Sequence, residues 1–112
     1  MKYALLINEK PGSTDGLSDS EREAVSAEYF EISDAPGVYG GAQLQPAETA
    51  TTVRVQGGDT LTTDGPFTNT KEVFGGYYLL EADDLDKAIE LAARIPAARL
   101  GGSVEVRPVV ER

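Results

Sequence analysis

The sequence predicts an α+β domain with one antiparallel sheet, two helices on one of its faces and an inserted β-hairpin. Three observations carry this. With a hairpin at 51–63 set aside, the elements run strand, helix, strand, strand, helix, strand, the ferredoxin-like split βαβ order. The segments 2–8 and 74–82 are apolar on both faces, as central strands are. Both helical segments open on acidic, side-chain-capped turns. Two helices cover only one face of such a sheet, so its other apolar face is expected to meet the sheet of a second copy.

The first strand places Tyr3, Leu5 and Ile7 on one side and Ala4 and Leu6 on the other, then enters a polar loop at Pro11-Gly12. Ser18-Asp19-Ser20-Glu21 is a capping box: the Ser18 side chain can accept the Glu21 amide while Glu21 reaches back. Val25, Tyr29 and Ile32 recur at helical spacing behind it, a thin apolar stripe that Ala35-Pro36-Gly37 ends. A strand over 38–44 is weakened by Gly40-Gly41, which signals a bulge or the close approach of another backbone or a ligand.

The β-branched runs 51–55 and 60–63 flank Gln56-Gly57-Gly58-Asp59, where a Gly pair can supply the positive φ angles of a tight turn. The strand at 74–82 carries Tyr77 and Leu79 on one face and Phe74, Tyr78 and Leu80 on the other. Asp83 or Asp84 caps the second helix, whose stripe of Leu85, Ala88, Ile89, Ala92 and Ile95 stops before Pro96. The last strand is expected over 103–110.

With 112 residues the chain is a single domain, 1–112, too short for a two-domain nucleotide enzyme. It contains no His and no Cys, which removes an imidazole base, a thiol nucleophile, disulfides and the usual zinc sites. Proton transfer would fall to carboxylate, Lys, Tyr, Arg or water. The net charge of -9 opposes a nucleic-acid backbone or an anionic membrane, and much of it lies in the two helical segments. No run approaches the ~18 apolar residues of a membrane span, and residues 1–8 lack a cleavage pattern, so the chain is read as soluble and cytoplasmic.

The polar turn 63–72 is the most informative segment. Structurally, Asp64 can bond to amides ahead of it, Gly65 and Pro66 redirect the chain, and Phe67 plugs the core. Functionally, Asp64 would face a pocket. Arg54, alternating with Val53 and Val55, is a solvated strand residue or an anchor for an anionic ligand. Lys71-Glu72 reads first as a surface ion pair. Gly75-Gly76 is either a strand entry or a cavity floor with a hydroxyl from Tyr77 or Tyr78 above it. Asp83, Asp84, Asp86 and Glu90 read as a helix cap, because no calcium loop surrounds them. No phosphate-binding glycine loop is present either, so no metal or cofactor is expected.

The run Asp64-Gly65-Pro66-Phe67, then Thr70-Lys71-Glu72 and Gly75-Gly76-Tyr77-Tyr78, resembles the DGPF branch of the YCII-related family. The likeness continues in Met1-Lys2-Tyr3-Ala4-Leu5-Leu6-Ile7, Leu44-Gln45-Pro46, Ala50-Thr51-Thr52-Val53-Arg54, Ala92-Ala93-Arg94-Ile95-Pro96 and Val104-Glu105-Val106-Arg107-Pro108, and so spans nearly the whole chain. The resemblance implies a ferredoxin-like domain that dimerises sheet to sheet. The family's biochemical function is largely undefined: an enzymatic role has been suspected from a recurrent His and Asp, and some members are fused to, or encoded beside, sigma-factor-like transcription proteins. Here Asp64 matches the motif Asp, the His is absent, and its helix position falls near Tyr29.

Three readings follow. The first is a homodimeric domain that binds an unknown small molecule and lends that binding to regulation. The second is a cofactor-independent enzyme with Asp64 as base or electrostatic stabiliser and Tyr29 assisting. The third is a structural module for a transcription-protein partner, without direct nucleic-acid or membrane contact. Asp64 and Tyr29 are the candidate catalytic groups; Arg54, Gly65, Pro66, Phe67, Lys71, Tyr77 and Tyr78 are the candidate ligand contacts.

Overall fold

The computed structural model describes residues 1–66 and 71–112. Its strands are β1 (Lys2–Glu9), β2 (Val38–Gln43), β3 (Thr51–Gln56), β4 (Asp59–Asp64), β5 (Val73–Glu81) and β6 (Ser103–Pro108); its helices are α1 (Asp19–Ser33) and α2 (Leu85–Ala92). Four strands form an antiparallel sheet in the order β2-β5-β1-β6, while β3 and β4 form a separate hairpin. The ferredoxin-like order is therefore present, with the two doubly apolar strands, β1 and β5, at its centre.

Strand alternation sorts the side chains. Tyr3, Leu5 and Ile7 of β1 and Tyr78 and Leu80 of β5 point to one face, where they form a single core with Ile32 of α1 and Ala88, Leu91 and Ala92 of α2. Leu5 is 0% exposed, and burial of such a side chain contributes about 1.5–3 kcal/mol. Ala4 and Leu6 of β1 face away beside Tyr77 and Leu79 of β5, only half-buried because neither helix covers them. Glu105 and Arg107 of β6 pair with each other at the edge of that open face.

The two helices dock unequally. Both halves of the expected capping box are present at α1, where Ser18 Oγ accepts from the Glu21 amide at 3.2 Å and the Ser18 amide donates to Glu21 Oε1 at 3.1 Å. Yet only Ile32 of α1 is buried, whereas α2 buries Ala88, Leu91 and Ala92. Asp84 caps α2 by accepting from the Lys87 amide at 2.9 Å. The apolar stripe of α2 runs on to Ile95, but the α-helix ends at Ala92. A residue before proline avoids the helical region, so Ile95 is extended and a 3-10 turn follows over Pro96–Ala98. The last strand likewise stops at Pro108, short of the expected residue 110.

Candidate functional site

A cleft opens where α1 stands off the sheet, and small residues on both sides explain it. The inward side of α1 offers Ser26 and Ser33 between its larger side chains; the strands opposite offer Gly40 and Gly41 of β2 and Gly75 and Gly76 of β5. Tyr78 of β5 and Ser33 of α1 bridge one end of the gap, both bonded to the Tyr29 carbonyl. The space has a volume of about 860 Å³, within the roughly 300–1,000 Å³ typical of ligand sites. Phe30, 73% exposed, and Tyr39, 48% exposed, stand on its rim.

The glycines permit backbone approach as well as space. Gly41 has φ 149°, and a Cβ there would collide with the Tyr77 carbonyl oxygen. A Cβ on Gly76 would lie 2.7 Å from the Ala42 carbonyl oxygen. The expected irregularity at Gly40-Gly41 is a register shift between Val38 and Gly40.

One end of the cleft is closed by residues 10–14, folded in successive turns with Ser13 donating to the Lys10 carbonyl and Asp15 to that of Gly12, each at 3.1 Å. Arg22 of α1 pins this wall through Nε to the Thr14 carbonyl (3.2 Å) and Nη2 to the Asp15 carbonyl (3.1 Å).

Tyr29 and Tyr78 supply the phenols. The Tyr78 hydroxyl donates to the Tyr29 carbonyl at 2.9 Å, and Ser33 Oγ donates to the same oxygen at 3.1 Å. Burial raises the Tyr29 pKa, and the negative charge of Glu9 adds to the rise, against a hydrogen bond with the Ala97 backbone and the charge of Arg99. Burial also raises the Tyr78 pKa, opposed by the Ser33 side chain. Both groups are therefore neutral phenols at neutral pH, able to donate a proton or a hydrogen bond. Glu9 borders the cleft, with its carboxylate over Gly75, where a Cβ would stand 2.7 Å from Glu9 Cδ.

The fold gathers some of the sequence-derived candidates and separates others. Tyr29, Tyr77 and Tyr78 border the cleft with Gly75 and Gly76; alternation turns the Tyr77 ring to the open face, so only Tyr78 brings its phenol to the helix side. Lys71 lies in an adjoining depression with Lys10. Asp64 and Arg54 are exposed on the β3–β4 hairpin, and neither lines the cleft of its own chain. Beside them the Gly65 amide donates to the Ala50 carbonyl at 2.7 Å, and Thr52 Oγ1 donates to the Gly65 carbonyl at 2.8 Å. Gly65 has φ 99° and Pro66 follows it, exposed. Phe67 lies outside the described residues. Sequence reasoning missed Glu9 and Lys10, whose only signal was their position at the end of a central strand.

Among the described residues no group of three or more His, Cys, Asp or Glu could hold a metal ion, and no helix is long and apolar enough to cross a membrane.

The chain is similar to known proteins over its full length. The family model of the YCII-related domain matches residues 1–112. An uncharacterized protein of Rhizobium meliloti (strain 1021) is 36% identical over 117 residues, covering 97% of this chain and 92% of that protein. Among solved structures, 5-chloro-2-hydroxyhydroquinone dehydrochlorinase from Burkholderia phenoliruptrix AC1100, in complex with 2,5-dihydroxybenzoquinone, has the same kind of fold. Its TM-score is 0.54 at 16% identity, with 100% of this chain and 96% of that chain covered.

Proposed function

The chain belongs to the YCII-related domain family, and we propose that within it this protein is a homodimeric, DGPF-type small-molecule-binding domain whose ligand lies between α1 and the sheet. The observation that carries this reading is the cleft of about 860 Å³, kept open by glycines on the sheet facing serines on the helix. Gly41 and Gly76 also let the β2 and β5 backbones approach closely, so the same residues that leave room beside α1 keep the two strands paired. Buried phenols, hydroxyls and the Glu9 carboxylate give such a site a few polar contacts around an apolar body, the usual composition of a ligand pocket.

The dimer is supported by the uncovered strip Ala4, Leu6, Tyr77 and Leu79, and by the exposed Val53, Val55 and Leu61 of the hairpin. Asp64 and Arg54 would join the site of the opposite chain if that hairpin reached across.

A second reading, a small cofactor-independent enzyme, is favoured by a phenol and a carboxylate, Tyr29 and Glu9, bordering one cleft as candidate proton donor and acceptor. In it, Asp64 serves as base or electrostatic stabiliser.

The dehydrochlorinase that shares the fold was solved with a hydroxylated ring compound, which suggests the first probes. A panel of hydroquinones, phenols and hydroxybenzoates is expected to include at least one that raises the melting temperature saturably, by linkage to the native state. Ser26→Trp, at an exposed helix position lining the cleft, should fill the space and abolish the rise while the free protein melts as before. A panel without any saturable shift, or a shift unchanged in Ser26→Trp, overturns the reading. Turnover of a bound probe, lost in Tyr29→Phe with binding retained, would favour the enzyme.

A further inference from the structure

The sheet carries an extra residue beside the cleft. Ile7 pairs with Gly76 and Asn8 with Phe74, so the β1–β5 ladder skips Gly75 and forms a bulge there. The strand before it is turned over as a result. Phe74, expected on the face of Tyr78, stands opposite Asn8 on the open face and is 44% exposed. Bulges recur beside functional sites, where they re-aim or make room for a side chain.

The side chain accommodated here is that of Glu9. A Cβ on Gly75 would stand 2.7 Å from Glu9 Cδ and 2.9 Å from each carboxylate oxygen, and these are its three nearest atoms. Gly75 lies outside the positive-φ region, so the backbone does not ask for glycine at this position; the carboxylate does. Both residues line the cleft. Among the described residues no ion pair engages Glu9. Burial and, after it, the Glu9 charge raise the Tyr29 pKa, so the field of this carboxylate reaches the helix side of the cleft.

We infer that Glu9, seated on Gly75, accepts a hydrogen bond from a hydroxyl of the ligand, whose ring lies in the cleft. This rests on the ligand-binding reading above and narrows its ligand class to hydroxylated ring compounds. An ionised carboxylate only accepts, so it selects a donor; the corresponding ether would strip it of water and give nothing back. Lys10 and Arg22, which can only donate, border the same space, so a group that also accepts fits it, a hydroxyl rather than an ammonium.

The test titrates isotopically labelled protein with hydroquinone and with its dimethyl ether, followed by heteronuclear chemical shifts. Hydroquinone is expected to bind about tenfold more tightly, although the ether has more apolar surface, with shifts at Glu9, Gly75 and Tyr29. Glu9→Met removes the acceptor and should bring the two affinities within about twofold, with the ether bound as before. Gly75→Ala displaces the carboxylate without removing it; it should also reduce the preference, and should add nothing in the Glu9→Met background. A glycine needed only for the bulge would act equally in both backgrounds. A preference that survives Glu9→Met, or a Gly75→Ala effect of the same size with and without Glu9, overturns the inference, and retained binding of the ether then leaves the cleft reading intact. Absence of saturable binding by both compounds also overturns the inference, and the cleft reading falls with it when the wider panel fails as well.

Discussion

The hydroxyl of Tyr78 donates to the backbone carbonyl of Tyr29 at 2.9 Å, joining the centre of the sheet to the middle of α1. This bond matters because α1 buries little else, with Ile32 its sole fully buried side chain among the described residues. Tyr78→Phe removes the donor and keeps the ring. The expected cost is about 1 kcal/mol, a fall in melting temperature of roughly 4 °C. Ser33→Ala removes the more exposed donor to the same carbonyl and should cost less. Thermal denaturation followed by circular dichroism checks both, and equal losses would contradict the assignment of Tyr78 as the main tether.

The glycines bordering the cleft differ in what their missing side chains would meet: backbone at Gly76, and at Gly40 the Leu79 side chain on the open face. Gly76→Ala places a methyl 2.7 Å from the Ala42 carbonyl, so β2 and β5 must separate; destabilisation of about 1–3 kcal/mol is expected. Gly40→Ala meets only the flexible end of Leu79, at 3.4 Å, and should change stability by about 0.5 kcal/mol or less. Urea denaturation of the two variants measures the difference, and matching midpoints would refute it.

Those two glycines also show what the sequence could and could not reveal. Gly40-Gly41 announced an irregularity, and the capping box at Ser18 and the stop at Pro96 were read from local chemistry, because caps and breakers act within a turn of the chain. The alternation of Tyr3, Leu5 and Ile7 with Ala4 and Leu6 was enough to place β1 at the centre. The cleft was only half legible, since Gly75-Gly76 suggested a floor but its roof is α1, far away in sequence. Glu9 and Lys10 were invisible for the same reason: their roles depend on Gly75 and Gly101, whose bare backbones they lie over. The motif residue Asp64, the strongest local signal, sits on a hairpin that makes no part of its own chain's cleft.

The phenols predict an alkaline loss of stability. Burial raises the pKa of Tyr29 and Tyr78 above the ordinary 10.0, so the folded chain holds both protons more tightly than the unfolded chain does. Their contribution is fully present below pH 10 and disappears as the pH rises through the higher folded-state values. Urea midpoints between pH 8 and about 12 should fall for the wild type and fall less steeply for Tyr29→Phe. An identical slope in the variant would show that Tyr29 is not among the groups responsible.

The Arg99 guanidinium meets Glu28 of α1 at 2.7 Å and 2.9 Å, tying the turn after α2 to the helix above the cleft. Both side chains are partly exposed, so Glu28→Gln should cost no more than about 1 kcal/mol, and added salt should shrink the difference. A larger, salt-independent loss in chemical denaturation would mean that the pair does more than bridge two surfaces.

The size of the sheet sets what the proposed dimer needs. Four strands spaced about 4.8 Å apart, with 6 residues in β2 and β6, 8 in β1 and 9 in β5, present a face of roughly 19 by 20–30 Å, about 400–600 Å² in projection. A stable interface needs about 800 Å² of accessible surface from each partner, so the sheet alone falls short and the hairpin must contribute. Val53 and Val55, 59% and 67% exposed, are the side chains placed to do so. Light scattering should therefore give a dimer at micromolar concentration for the wild type. Leu6→Lys, set between Tyr77 and Glu105 on the open face, should give a folded monomer. Val53→Asp/Val55→Asp should weaken association while leaving the far-UV spectrum unchanged, because those valines touch little within their own chain. A double variant that dimerises as tightly as the wild type would confine the interface to the sheet, and a monomeric wild type would remove the dimer altogether.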